Sequence, residues 1–193
     1  MEQEDDFTLQ LLRVSDEYEA GDYSFRDEKP MISGNDRGRA QLRFENVKLR
    51  RGELYVAEFT FYSTNCSYWV YNPFFGGLIS SPGQLAIYDA EKKYVGELKY
   101  DTISHRSPSD ADWVYLYAGG YIGTKIGFRA GYLPGTEFCH MGNLLPAGRY
   151  YIQVILYKAF LTHKDRYFRG DFSITFDRSE LCRSNAVEVE LID

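Results

Sequence analysis
From Tyr150 to Tyr157 the chain alternates strictly. Tyr150, Ile152, Val154 and Leu156 fall on one face, and Tyr151, Gln153, Ile155 and Tyr157 on the other. A period of two built from β-branched and aromatic residues predicts a strand. A Pro-Ala-Gly turn at residues 146–148 leads into it. Both faces are mainly apolar or aromatic, so this strand is expected at the centre of a sheet, covered on each side.

The same pattern recurs along the chain. Phe7 to Val14 reads as a first strand, and Arg39 to Leu49 as another, with Leu42 and Phe44 opposite Arg43 and Glu45. Glu53 to Ser63 places Tyr55, Ala57, Phe59 and Phe61 on one face and Leu54, Val56, Glu58, Thr60 and Tyr62 on the other. Ser67 to Tyr71 is a short aromatic strand. Gln84 to Tyr88 and Tyr94 to Leu98 flank a charged tip, which predicts a hairpin. Trp113 to Tyr117 and Tyr121 to Phe128 are separated by Gly119-Gly120, and Phe172 to Phe176 is a further strand. Ala186 to Leu191 closes the series, with Val187, Val189 and Leu191 inward and Glu188 and Glu190 outward. Glu17 to Gly38 is polar and turn-rich and reads as a long irregular connection, or as a linker after a detached first strand. Helical spacing never persists for three turns; its best stretches, Leu9 to Glu19 and Ser179 to Ser184, are short.

Many strands between Gly/Pro turns predict an all-β fold, an antiparallel β-sandwich with long loops and little helix. The length of 193 residues fits one domain overall. Residues 1–38 form an N-terminal strand and irregular extension packed on a sandwich of residues 39–193. No repeat at a fixed period supports a propeller or solenoid.

Composition narrows the function classes. A formal net charge of −6 repels phosphate backbones, so a nucleic-acid partner is not expected. No apolar run approaches the roughly 18 residues that cross a bilayer as a helix, so membrane insertion is not expected either. The start, Met1-Glu2-Gln3-Glu4-Asp5-Asp6, has no secretory leader pattern. That leaves the cytoplasm, or the cell envelope or outside if a leader has been replaced. Seventeen tyrosines suit half-buried strands, and equally surfaces that touch sugars or proteins.

Gly52-Glu-Leu-Tyr-Val56, Leu85-Ala-Ile-Tyr-Asp89, the Leu-x-Pro-x-Gly-x-Tyr turn at Leu144–Tyr150 and the exit Arg183-Ser-Asn-Ala-Val-Glu-Val-Glu190 come in a telling order. From Arg39 to Asp193 that order resembles immunoglobulin-like or jelly-roll-type sandwiches of bacterial envelope and secreted proteins. Proteinase-inhibitor-like domains and sugar-binding sandwiches attached to export transporters are modules of this kind. The resemblance implies a fold and carries over no functional residue.

Chemistry-bearing motifs are few. There is no phosphate-binding Gly-rich loop, no nucleophile elbow and no His-Glu-x-x-His. The cysteines, Cys66, Cys139 and Cys182, form no Cys-x-x-Cys pair; a Cys139–Cys182 disulfide is one reading and three buried thiols the other. Cys139 and His140 are adjacent and would point to opposite faces of a strand, so they make no dyad. No resident cofactor is expected. His105, Asp110 and Asp112 share one loop and could hold calcium with backbone carbonyls, or be solvated loop residues. Asn65-Cys66-Ser67 fits a glycosylation acceptor, and Arg169-Gly170-Asp171 is read as turn chemistry.

The aromatic segment Tyr68, Trp69, Tyr71, Phe74 and Phe75 is the expected ligand-binding surface. Flat rings stack on sugar faces, and loops on a rigid sandwich are common binding surfaces. The alternative places Trp69 and Tyr71 in the core and uses Phe74 and Phe75 to plug one end. The expected function is therefore a non-catalytic module with a protein or glycan partner. A carboxylate-based carbohydrate hydrolase, or an accessory domain of an envelope assembly, is the alternative.

Overall fold
The computed structural model describes residues 23–26, 28, 31–33, 36–71, 83–98, 113–133, 143–157, 161–162 and 180–193. These residues contain strands and turns and no helix. The strands are β1 (Met31–Ser33), β2 (Asp36–Phe44), β3 (Lys48–Arg50), β4 (Leu54–Ser63), β5 (Tyr68–Tyr71), β6 (Gly83–Tyr88), β7 (Tyr94–Glu97) and β8 (Trp113–Leu116). They continue with β9 (Tyr121–Arg129), β10 (Tyr132–Leu133), β11 (Asn143–Leu144), β12 (Gly148–Tyr157), β13 (Leu161–Thr162), β14 (Glu180–Arg183) and β15 (Val187–Ile192).

Two sheets make the sandwich. The larger runs β3-β15-β12-β6-β7, with β14 also paired to β12; the second runs β1-β2-β4-β9. Pairing is antiparallel except for the parallel β15–β3 pair and a parallel bridge between Ala40 and Ser184. Between the sheets lies one apolar core. Leu42, Phe59, Phe61, Ile126 and Phe128 from the second sheet meet Leu85, Ile87, Ile152, Val154, Leu156 and Leu191 from the larger. The all-β sandwich read from the sequence is therefore the fold.

Alternation explains each layer. Ala57, Phe59 and Phe61 of β4 are buried, while Leu54, Val56, Glu58 and Tyr62 are exposed. The β6–β7 hairpin forms as expected, and β15 buries Val189 and Leu191 against exposed Glu188 and Glu190. β12 is central, flanked by β6 on one side and by β15 and β14 on the other. At its start the Tyr150 hydroxyl donates to the Pro146 carbonyl at 3.0 Å, pinning the turn four residues upstream. Asn185 clasps the sheets: its carboxamide accepts from Leu42 N–H at 2.8 Å and donates to Leu42 C=O at 3.0 Å.

Two expectations are corrected. Within the helical candidate Ser179 to Ser184, Glu180–Arg183 is instead the strand β14, its pairing to β12 outweighing a period too short to read. Glu17 to Gly38 is not wholly irregular, since β1 pairs with the start of β2 at Met31–Gly38. Moreover, Tyr23 and Phe25 pack on the outer face of the larger sheet, against Ala86, Tyr88 and Ile155. The expected strands at Phe7–Val14 and Phe172–Phe176 lie outside the described residues.

Candidate ligand-binding surface
The β4–β9 pairing continues, across a bend, as β5–β8 in a three-stranded sheet of order β13-β5-β8. The bend is fixed by hydrogen bonds. Ser63 N–H donates to Gly120 C=O at 2.9 Å, Gly120 N–H to Tyr117 C=O at 2.9 Å, and Ala118 N–H to Ser67 Oγ at 3.0 Å. The Ser63 hydroxyl also donates to the Cys66 carbonyl.

This ribbon sorts its aromatics by face. On the inner face Tyr68, Val70 and Leu116 are buried in the core. On the outer face Trp69 sits opposite Tyr115, ring centroids 5.2 Å apart, and Tyr117 meets Tyr115 edge-on at 4.8 Å. Trp69 and Tyr115 are half-buried, and Tyr117 is 70% exposed. Beyond the Gly119-Gly120 turn, Tyr121, also 70% exposed, pairs with Tyr62 at 5.9 Å. Five rings therefore line the outer side of one bent ribbon in two groups.

Polar groups border the second group. Arg39, Tyr62 and Tyr121 form one rung across β2, β4 and β9. The next outward-facing rung is Gln41, Thr60 and Gly123, and the one after it Arg43, Glu58 and Lys125. The Tyr62 hydroxyl donates to Gln41 Oε1 at 3.2 Å, and Arg39 pairs with Glu28 at 2.5 Å. On β9, Gly123 places no side chain between Tyr121 and Lys125. Stacking on the rings and hydrogen bonding to the amide, hydroxyl and guanidinium is chemistry suited to a polyhydroxylated ligand.

The sequence-based site residues divide. Trp69 lies on this surface, whereas Tyr68 faces the core at 3% exposure and is packing. The backbone of Tyr71 belongs to β5, in register with Trp113 of β8. Phe74, Phe75, His105, Asp110, Asp112 and Cys139 lie outside the described residues, and Cys182 is fully buried in the core. Among the described residues no group of three or more His, Cys, Asp or Glu could hold a metal ion, and no helix is long and apolar enough to cross a membrane. Tyr62, Tyr115, Tyr117 and Tyr121 were missed as site residues. The signal for two of them was present: tyrosines bracketing an Ala-Gly-Gly turn, where a short loop leaves large rings no core to enter.

No family model matches the chain, and no curated protein matches it. Among solved structures it is similar to a β-glucosidase from Listeria innocua in complex with glucose, at 10% identity and a TM-score of 0.39. That match covers 82% of this chain and 16% of the glucosidase, so the chain spans under a fifth of that enzyme. It is similar also to the C-terminal domain of wzt, at 8% identity and a TM-score of 0.38, covering 91% of this chain and 87% of the domain. A Pseudomonas fluorescens alkylpurine DNA glycosylase, AlkC, matches at 15% identity and a TM-score of 0.35, over 80% of this chain and 30% of that one. Likenesses at this level assign no activity.

Proposed function
We propose that this chain is a non-catalytic binding module, an immunoglobulin-like sandwich that holds a glycan on the outer side of the β4–β5 and β8–β9 ribbon. The observation that carries the reading is the outer-face ring set, Trp69–Tyr115–Tyr117 and Tyr62–Tyr121, bordered by Arg39, Gln41 and Thr60. Rings held by cross-strand neighbours lose little freedom on binding, so stacking energy is not spent on ordering them. The Tyr150–Pro146 hydrogen bond supports the immunoglobulin-like part, because such sandwiches pin a corner with a tyrosine bonded to backbone a few residues upstream.

A glycan array with the full chain, followed by calorimetry on the best binder, tests the proposal. Truncating a central aromatic anchor typically removes about 2 kcal/mol or more, roughly thirtyfold in affinity. Tyr117→Ala and Tyr121→Ala are expected to lose affinity on that scale while leaving thermal stability unchanged. Equal binding by wild type and both variants removes these rings from the site. Failure of every glycan to bind rejects the ligand class.

A further inference from the structure
The outer face of the larger sheet already holds a peptide, the chain's own residues 23–26. No strand pairing involves this segment among the described residues; it is gripped by side chains. Arg183 Nη1 donates to the Ser24 carbonyl at 2.5 Å, and Gln153 Nε2 donates to the Arg26 carbonyl at 2.9 Å. The intervening side chains enter an aromatic surface. Tyr23 stacks on Tyr94 with centroids 4.6 Å apart. Phe25 meets Tyr88 at 5.2 Å and Tyr151 at 5.6 Å edge-on, with Lys92 Nζ 4.7 Å from its ring centre. Carbonyls gripped two residues apart, and rings seated two residues apart, are the signature of recognition of an extended chain.

The gripping groups are held in place by the sheet itself. Arg183 is paired with Glu180 at 2.7 Å and lies 3.4 Å from the Tyr88 hydroxyl. Gln153 Nε2 also donates to the Ser184 carbonyl at 2.6 Å. Gln84 bridges Tyr94, to whose hydroxyl its Nε2 donates at 2.6 Å, and Tyr157, whose hydroxyl donates to Gln84 Oε1 at 2.5 Å. The groove is thus preorganised without its occupant. The occupant also fits imperfectly. Gln153 is fully buried, and its Oε1 has no hydrogen-bond partner among the described residues. An acceptor left so is costly, and a ligand that brings an N–H to it gains what residues 23–26 do not supply.

We propose that this face is a peptide-binding groove, occupied in cis by Tyr23–Arg26. It takes an extended segment of a partner chain carrying aromatic side chains two residues apart and a hydrogen-bond donor that reaches Gln153 Oε1. The tethered segment acts as a competitor. A short tether gives an effective concentration of the order of millimolar, enough to exclude a micromolar peptide until the segment is displaced.

The test uses the full chain and a fluorescein-labelled synthetic peptide of residues 20–29. The Tyr23→Ala/Phe25→Ala chain is expected to bind this peptide about tenfold or more tightly than wild type does, because the competitor is weakened. A control peptide with both aromatics changed to Ala is expected to show no binding. Adding Gln153→Leu to the double variant is expected to lower peptide affinity again. Should the double variant not fold, Phe25→Leu keeps the apolar volume, loses the ring contacts and gives the same readout. A folded variant that captures no peptide overturns the proposal, as does equal binding of the control peptide. Neither result bears on the glycan surface, which lies on the β4–β5 and β8–β9 ribbon.

Discussion
Replacing Arg183 by Met is expected to be among the most damaging single changes on the larger sheet. The Arg183 side chain is wholly buried, and its Glu180 partner is only 15% exposed. Met keeps the length and apolar stem but strips away the guanidinium. Glu180 is then a largely buried carboxylate without its 2.7 Å cation, and the Ser24 carbonyl loses its 2.5 Å donor. Removing one member of a buried pair costs about 3–5 kcal/mol, because the partner charge is stranded. For a chain of this size each kcal/mol moves the melting temperature by roughly 2–4 °C, so a fall of about 6–20 °C is expected. The double change Arg183→Met/Glu180→Leu strands no charge and is expected to recover most of the loss, since apolar replacement of a buried pair is often neutral. Urea unfolding of wild type, both single variants and the double variant closes a mutant cycle that isolates the pair. A loss below about 1 kcal/mol for Arg183→Met, or no recovery in the double variant, would refute the reasoning.

Two further outcomes follow from the same structure. Burial raises the Tyr88 and Tyr94 hydroxyls above the ordinary 10.0, aided at Tyr94 by Glu97, so the unfolded chain ionises first. Their stabilising contribution is complete below pH 10 and falls as pH rises above it; urea midpoints from pH 8 to 11 should drop, and Tyr94→Phe should flatten the slope. Gly131 has φ +67° and a Cβ there would sit 2.8 Å from Leu191 Cδ1, whereas Gly119 has φ +77° and nothing within 4 Å. Both Gly→Ala changes incur about 1–2 kcal/mol of left-handed backbone strain, but Gly131→Ala must also displace a core leucine and should lower the urea midpoint distinctly more.

The strands were legible wherever burial is one-sided or complete over five or more residues. β4, β12 and β15 write their environment into a period of two, and the β6–β7 tip carries its own turn chemistry. What escaped reading depends on partners far along the chain. Arg183 contacts Ser24 across 159 positions, and Asn185 contacts Leu42 across 143. Nothing local in Glu-Leu-Cys-Arg distinguishes a buried arginine from a solvated one, and four residues are too few to tell a strand from a helical turn. The candidate surface was half legible for a related reason. Trp69 stood out in a dense aromatic window, but its companions Tyr115 and Tyr117 reach it only through the β5–β8 register.

The burial of β12 on both faces links the two outer surfaces to one physical demand. Tyr150, Ile152, Val154 and Leu156 are covered by the second sheet, as any sandwich requires. Tyr151, Gln153, Ile155 and Tyr157 form an opposite row that is also apolar or amide, and water cannot be its native solvent without exposing an aromatic patch. Residues 23–26 supply cover there with two rings and two carbonyls, while Ser24 and Arg26 themselves stay exposed. Among the described residues this cover is held by side-chain donors and ring contacts, which another extended chain can reproduce. The second sheet makes the opposite choice on its outer side. Glu58, Lys125 and Arg43 share a solvated rung, and the rings of Tyr62 and Tyr121 remain in water. One sandwich thus presents a covered face whose cover can exchange and an open face whose aromatics are preset by the ribbon.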